Sequence, residues 1–323
     1  METILLADTG LTTTRLGFGG SRLLGGAWKR ESRTLLDAAL DAGIQHFDTA
    51  PMYSEGQAES VLCDFLRSRA THATVATKYG ILPPPRGWKT RSFSLARSVA
   101  RPLLRAVPRV KAQATQVASR IGPSTVKADF TAAQAAGSLE RSLRALGVDH
   151  VDLFLLHEAL PEDLVDDTLL EFLLAQQRNG VIGAFGVGGA ASAVPRLLEE
   201  RPDYCRVMQF DWSILDPRPD TPGFSLHYGV LGRAFGWLRT ALAADPALQR
   251  RWSNEVDRDL SDDDVLSSLL LKAALEVNPT SIVLVSTRHI RRIQANVAVA
   301  EDQAEAEPAL RLWELVRSEQ LLQ

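Results

Sequence analysis

Short apolar runs alternate along this chain with longer stretches whose apolar positions recur every three or four residues. The first pattern predicts buried strands and the second amphipathic helices. Leu16-Gly17-Phe18-Gly19-Gly20, Ile44 to Asp48, Ala73 to Lys78, Val151 to Leu156, Ala184 to Val187, Val207 to Phe210 and Ser281 to Val285 read as strands, with a further strand and loop over 225–231. Helices are predicted over 31–42 (Leu35, Leu36, Ala39 and Leu40 at helical spacing), 57–67, 131–146, 163–179, 191–200, 262–277, 290–300 and 308–321. Gly43, Gly147 and Gly180 stand just past three of these helices, as helix stops do. Ahead of the first strand, Ile4-Leu5-Leu6, Asp8-Thr9-Gly10 and Leu11 to Arg15 predict a short hairpin with a glycine turn.

Strand and helix alternate about eight times with no shift of composition to mark a second domain. The fold class is therefore α/β: a closed parallel (β/α)8 TIM barrel with an N-terminal β-hairpin, a single domain over residues 1–323. A doubly wound open sheet is the rival. It would carry a G-x-G-x-x-G turn after its first strand, and Leu16 to Gly20 lacks that spacing. The pattern breaks once, after the third strand. Residues 79–128 hold ten Lys or Arg and no acid, open on Pro83-Pro84-Pro85, and place Arg97, Arg101, Arg105 and Arg109 four apart. Insertions of this length are functional or disordered. A lid that attracts an anionic substrate and a solvated loop both fit.

Bulk composition narrows the class of function. The chain has 45% apolar and 23% charged residues, as soluble globular proteins do. A net charge of −3 argues against a general nucleic-acid binder. Cys63 and Cys205 are far apart, have no metal-ligand spacing and read as core thiols. No apolar run is long enough to span a bilayer and the N-terminus lacks a leader pattern, so a cytoplasmic protein without membrane contact is expected. The sequence leaves the oligomeric state open.

Four polar residues fall at or just past predicted strand ends: Asp48 and Tyr53 after the second, Lys78 ending the third, His157 ending the fourth. Each alone also fits a cap, a packing residue or a structural hydrogen bonder. Together, at the ends of successive barrel strands, they meet at one mouth. An ordinary phenol has a pKa of about 10, and a neighbouring ammonium lowers it. Asp48 would keep Lys78 in place and charged, and His157 would orient a carbonyl oxygen. The set suits protonation of an oxygen as a hydride reaches carbon.

These residues also carry a resemblance. Phe47-Asp48-Thr49-Ala50-x-x-Tyr53, with Glu59 following, resembles the first signature of the aldo-keto reductases, and Thr77-Lys78 their lysine strand. Ser138-Leu139-x-x-Ser142-Leu143-x-x-Leu146-Gly147-x-Asp149-x-Val151-Asp152-Leu153-x-Leu155-Leu156-His157 resembles the second signature. The resemblance spans most of residues 10–300. It implies a barrel that binds NADPH without a Rossmann domain, with Tyr53 as proton donor, Lys78 and Asp48 tuning it, and His157 positioning the carbonyl. It further implies Gln209 on the nicotinamide carboxamide and Tyr228 stacked on its ring. Ser286, Arg288, Arg292 and Asn296 would hold the adenosine end, the two guanidiniums on a 2′-phosphate. Basic residues at a helix start also fit plain solvation. One departure is clear: where the family reads Gly-Val-Ser-Asn after its fifth strand, this chain reads Gly186-Val187-Gly188-Gly189. Two side-chain partners are lost, each worth about 0.5–1.5 kcal/mol.

The function implied is NADPH-dependent interconversion of a small-molecule carbonyl and an alcohol. The alternative is a barrel that keeps the four residues but senses cofactor, serves as an interaction protein, or does acid–base chemistry without redox. Trp28, Trp88 and Trp212 are candidate pocket walls, or plain core.

Overall fold

The structure, a computed structural model, describes residues 1–69, 72–83, 126–218 and 220–319. Its strands are β1 (Thr3–Leu5), β2 (Thr12–Thr14), β3 (Leu16–Gly19), β4 (His46–Asp48), β5 (Thr74–Tyr79), β6 (Ile81–Leu82), β7 (Val126–Lys127), β8 (Val151–His157), β9 (Ile182–Gly189), β10 (Val207–Asp211), β11 (Phe224–Tyr228) and β12 (Ile282–Val285). Its helices are α1 (Lys29–Asp41), α2 (Ala58–Arg69), α3 (Ala132–Leu146), α4 (Asp167–Arg178), α5 (Val194–Glu200), α6 (Gly232–Ala244), α7 (Pro246–Val256), α8 (Asp263–Val277), α9 (Ile290–Glu301) and α10 (Ala306–Ser318).

Eight strands close into a parallel barrel in the order β3, β4, β5, β8, β9, β10, β11, β12, with β12 returning to β3. Side chains along each strand alternate between two layers. Leu153, Leu155, Ala76, Ala184, Val207, Leu226, Ile282 and Leu284 fill the barrel. Phe47, Val75, Phe154, Phe185 and Met208, of the other parity, pack on the helices. Phe47 meets Phe65 of α2 with ring centroids 4.8 Å apart. The β1–β2 hairpin precedes β3 and sends Leu6, fully buried, into the inner cluster.

Local signals set the helix ends. Thr131 caps α3 by accepting from Gln134 N at 3.3 Å, and Gly147 ends it in the left-handed region at φ 69°. Such a cap favours glycine because a Cβ there crowds the backbone. Gly43 and Gly180 take positive φ after their helices in the same way.

Several expected bounds shift. The fifth strand runs from Ile182 to Gly189, longer than 184–187. The helix expected from 163 begins at Asp167, capped by Asp166, after a separate turn at Pro161–Asp163. Two helices, α6 and α7, fill a stretch for which the apolar pattern predicts none. The insertion is narrower than 79–128: Tyr79 belongs to β5, and β6 pairs β7 antiparallel, Ile81 with Lys127 and Leu82 with Val126. Residues 84–125, with Trp88 and the arginines from Arg97 to Arg109, lie outside the described residues. Both cysteines are free thiols, Cys205 buried and Cys63 half-buried. Among the described residues no helix is long and apolar enough to cross a membrane.

Candidate active site

Strand parity builds the site before any contact is considered. Asp48, Lys78, His157, Gly188, Gln209 and Tyr228 lie an even number of residues along their strands from inward-facing positions. Asp48, His157 and Tyr228 end their strands, Lys78 and Gly188 stand one residue short of the end and Gln209 two, and the register aligns them: His157 with Gly188, and Gly188 with Gln209. All six therefore meet at one mouth of the barrel.

At the centre is a buried ion pair. Lys78 Nζ donates to Asp48 Oδ2 at 2.5 Å and to the Thr49 carbonyl at 2.9 Å. Lys78 is 1% exposed and Asp48 3%, so neither charge is met by bulk water. Burial pulls the Lys78 pKa down, but Asp48 and Tyr53 outweigh it and leave it raised. Gln209 Nε2 also donates to Asp48 Oδ2, at 2.8 Å. One of its two amide hydrogens is thus committed to the acid, and Oε1 remains as an acceptor for a ligand.

Tyr53 stands over this pair, its ring centroid 4.9 Å from Lys78 Nζ. A turn at Tyr53–Gly56 holds it, and Ser54 and Glu55 take φ of 53° and 58° inside that turn. Two successive left-handed non-glycine residues cost about 1–3 kcal/mol each. Ser54 Oγ, donating to the Leu23 carbonyl, helps keep them there. The expectation that Lys78 lowers the phenol's pKa is overridden by desolvation: burial pushes Tyr53 up, and the Lys78 charge opposes it only in part. Tyr53 is a neutral phenol at neutral pH. The His157 ring meets it edge-on, centroids 6.0 Å apart at 87°. Burial first, then the Lys78 charge, lowers the His157 pKa to about 3, so its imidazole is uncharged. The arrangement offers one transferable proton, on Tyr53, and a neutral ring beside it that can hydrogen-bond an oxygen.

The remaining candidates divide in two. Tyr228 is half-buried, and its hydroxyl donates to the Gly189 carbonyl at 2.9 Å, which fixes the ring beside the Gly188-Gly189 pair. Ser286 follows β12, half-buried and 3.5 Å from Ser21 Oγ; Arg288 and Arg292 are exposed at the start of α9, and Asn296 is half-buried one turn on. This second group sits on the eighth strand's loop and helix rather than in the network around Asp48. Trp28 is 48% exposed near the mouth, whereas Trp212 is core, 2% exposed with its indole N–H on the Pro217 carbonyl. Glu59 is structural: buried in α2, it accepts from Thr77 Oγ1 at 2.8 Å. Asp152 likewise accepts from Val75 N at 2.6 Å and ties β8 to β5.

Glu158 is the site residue that the sequence pattern misses. It holds a left-handed φ of 56°, and its N–H donates to the Gly188 carbonyl at 2.6 Å. It lines a cavity of about 190 Å³ together with Leu160, Gly189, Ser192, Val194 and Gln209. Burial raises its carboxyl pKa, with Lys127 opposing and Asp211 reinforcing the shift. Its only sequence signal is its place directly after His157.

A closed parallel β/α barrel with a buried Lys–Asp pair under a tyrosine and a histidine at its C-terminal mouth is the class that fold and site define. The model of the Aldo/keto reductase family matches residues 15–222. The chain belongs to that family. Among curated relatives, pyridoxal 4-dehydrogenase of Microbacterium luteolum is 46% identical over 81 residues, 24% of this chain and 23% of that protein. D-threo-aldose 1-dehydrogenase of a Pseudomonas species is 30% identical over 210 residues, 60% of this chain and 56% of that protein. The chain thus covers less than two thirds of either relative's length. An aldo-keto reductase from Bacillus halodurans, solved in its holo form, superposes with a TM-score of 0.67 at 20% identity over 97% of this chain and 96% of that one. One from Klebsiella pneumoniae in complex with NADPH gives 0.63 at 17% identity, covering 97% and 95%. These two likenesses concern the fold.

Proposed function

We propose that the chain is an NADPH-dependent oxidoreductase that interconverts a carbonyl and an alcohol, with Tyr53 as general acid and base. The observation that carries this is the stack of Tyr53 over Lys78, 4.9 Å from ring centroid to Nζ, with Asp48 holding the ammonium at 2.5 Å. The names of the pyridoxal and aldose dehydrogenases agree with it.

The residues present fit a nicotinamide group. Gly188 puts no side chain between His157 and Gln209, and a Cβ there would stand 3.4 Å from Gln209 Oε1. Gln209 and Tyr228 would hold the ring, and Ser286 and Asn296 the adenosine end. Arg288 and Arg292 would pair with a 2′-phosphate, which favours NADPH over NADH. When bound, the cofactor supplies a hydride to the carbonyl carbon. Tyr53 gives its hydroxyl proton to the oxygen as the C=O π pair moves there. Lys78 stabilises the phenolate left behind, and Asp48 keeps Lys78 charged and in place. Neutral His157 donates a hydrogen bond to the same oxygen. Oxidation of the alcohol runs these roles backwards.

Tyr53→Phe removes the proton and leaves the ring. It should lower kcat by about 10²–10⁴-fold while NADPH still quenches protein fluorescence with unchanged affinity. Wild-type kcat in Tyr53→Phe would sink the mechanism. The absent Ser-Asn pair motivates a second reading, a barrel that senses cofactor without turning it over; tight NADPH binding with no turnover on a panel of aldehydes and ketones would select it.

A further inference from the structure

Two hydrogen-bond acceptors flank the Gly188-Gly189 pair. Gln209 donates one amide hydrogen to Asp48 at 2.8 Å and turns Oε1 to Gly188, 3.4 Å from where a Cβ would stand. On the other side, Glu158 Oε2 is 3.3 Å from the corresponding Cβ position of Gly189. The Glu158 backbone sets that placement, through its φ of 56° and its N–H on the Gly188 carbonyl. Among the described residues no side chain donates to the Glu158 carboxyl, and the charged groups facing it are Lys127 and Asp211. Gln209 and Glu158 line the same cavity.

A ligand group that satisfies both acceptors must bring two donor hydrogens. A hydroxyl has one; a primary amide has two, in one plane, on one nitrogen. We infer that Glu158, together with Gln209 Oε1, receives the N–H₂ of the nicotinamide carboxamide. Glu158 is then a cofactor-positioning residue that takes up the work of the side chains missing at Gly188 and Gly189. The inference rests on the nicotinamide reading above and adds to it a residue and a direction of hydrogen bonding. It also agrees with the glycine at position 189, where a Cβ would stand 3.3 Å from Glu158 Oε2 and press on that carboxyl.

The test is binding of NADP⁺ and of its 3-acetylpyridine analogue, which keeps the ring and lacks the amide hydrogens, measured by fluorescence titration without substrate. Wild-type protein should bind NADP⁺ about tenfold or more tightly than the analogue, or about 1.4 kcal/mol. Glu158→Ala should weaken NADP⁺ alone and bring the two affinities within about threefold. Glu158→Gly, which suits a left-handed φ, makes the same measurement should the alanine variant fold poorly. Glu158→Gln retains an acceptor oxygen and should keep most of the preference. An unchanged preference in both truncated variants overturns the inference, as does equal binding of the two dinucleotides by wild type. Wild-type protein that binds neither dinucleotide removes the nicotinamide reading itself and this inference with it.

Discussion

Lys78 and Asp48 are the two charges that this barrel encloses most completely beneath its mouth, at 1% and 3% exposure. An enclosed pair owes little to net stability, because desolvation offsets most of the attraction. Removing one partner is another matter, since it strands the other charge and costs about 3–5 kcal/mol. Lys78→Met should therefore lower stability by that amount, as it leaves Asp48 with Gln209 alone. Lys78→Met combined with Asp48→Leu should recover most of the loss in urea melts, while turnover stays abolished in both. A double variant no more stable than the single would show that the pair itself holds the barrel together. At this scale Asp48, Tyr53, Lys78 and His157 were legible because each carries a polar group where an apolar strand stops. Glu158 was not. Its position depends on a backbone φ, and its neighbour Gly189 belongs to another strand; neither is written near it in the chain. The direction of the Tyr53 shift was hidden for a related reason, since a sequence shows the ammonium next door but not the depth of burial.

Elements were legible where apolar periodicity is strong. All eight barrel strands follow from it, to within a few residues at their ends. The helices α6 and α7 do not, and α7 is marked by its cap instead. Asp245-Pro246 is itself a start signal: the Asp245 side chain accepts from Ala247 N and Leu248 N, each at 3.0 Å, and Pro246 occupies the first helical position. The β6–β7 ribbon bears on the insertion. Leu82 pairs Val126, so the described residues on either side of 84–125 are held together by this neck. A turn of about four residues joining Pro83 to Val126 should leave the barrel folded. A deletion variant that is insoluble, or that loses its cooperative thermal transition, would show that the insertion supports the barrel.

Over the whole molecule, the enclosed histidines couple the barrel to acid. His46 lies on the inner face of its strand with Nδ1 2.9 Å from Thr74 Oγ1, and His227 on the outer face against Phe210, ring centroids 4.8 Å apart. Both are fully buried. Burial lowers both to about 4; at His46 the Asp48 and Asp152 charges oppose the shift and Lys78 adds to it. The unfolded chain titrates its histidines near 6.5. Between those values the unfolded state binds protons that the folded state refuses, so stability falls as pH falls through 6.5 toward 4. From pH 7 to pH 5 the loss is about 2 kcal/mol per histidine, a sizeable part of an ordinary folding margin of about 5–15 kcal/mol. His227→Phe keeps an aromatic ring against Phe210 and Trp212 and leaves Ser225 its partner Ser281 at 2.6 Å. Its absolute stability will differ through packing, so the quantity to compare is the change in urea unfolding free energy between pH 7 and pH 5. That change should be about 2 kcal/mol smaller than in wild type, and an unaltered pH slope would mean that His227 takes up its proton without unfolding the wall of the barrel.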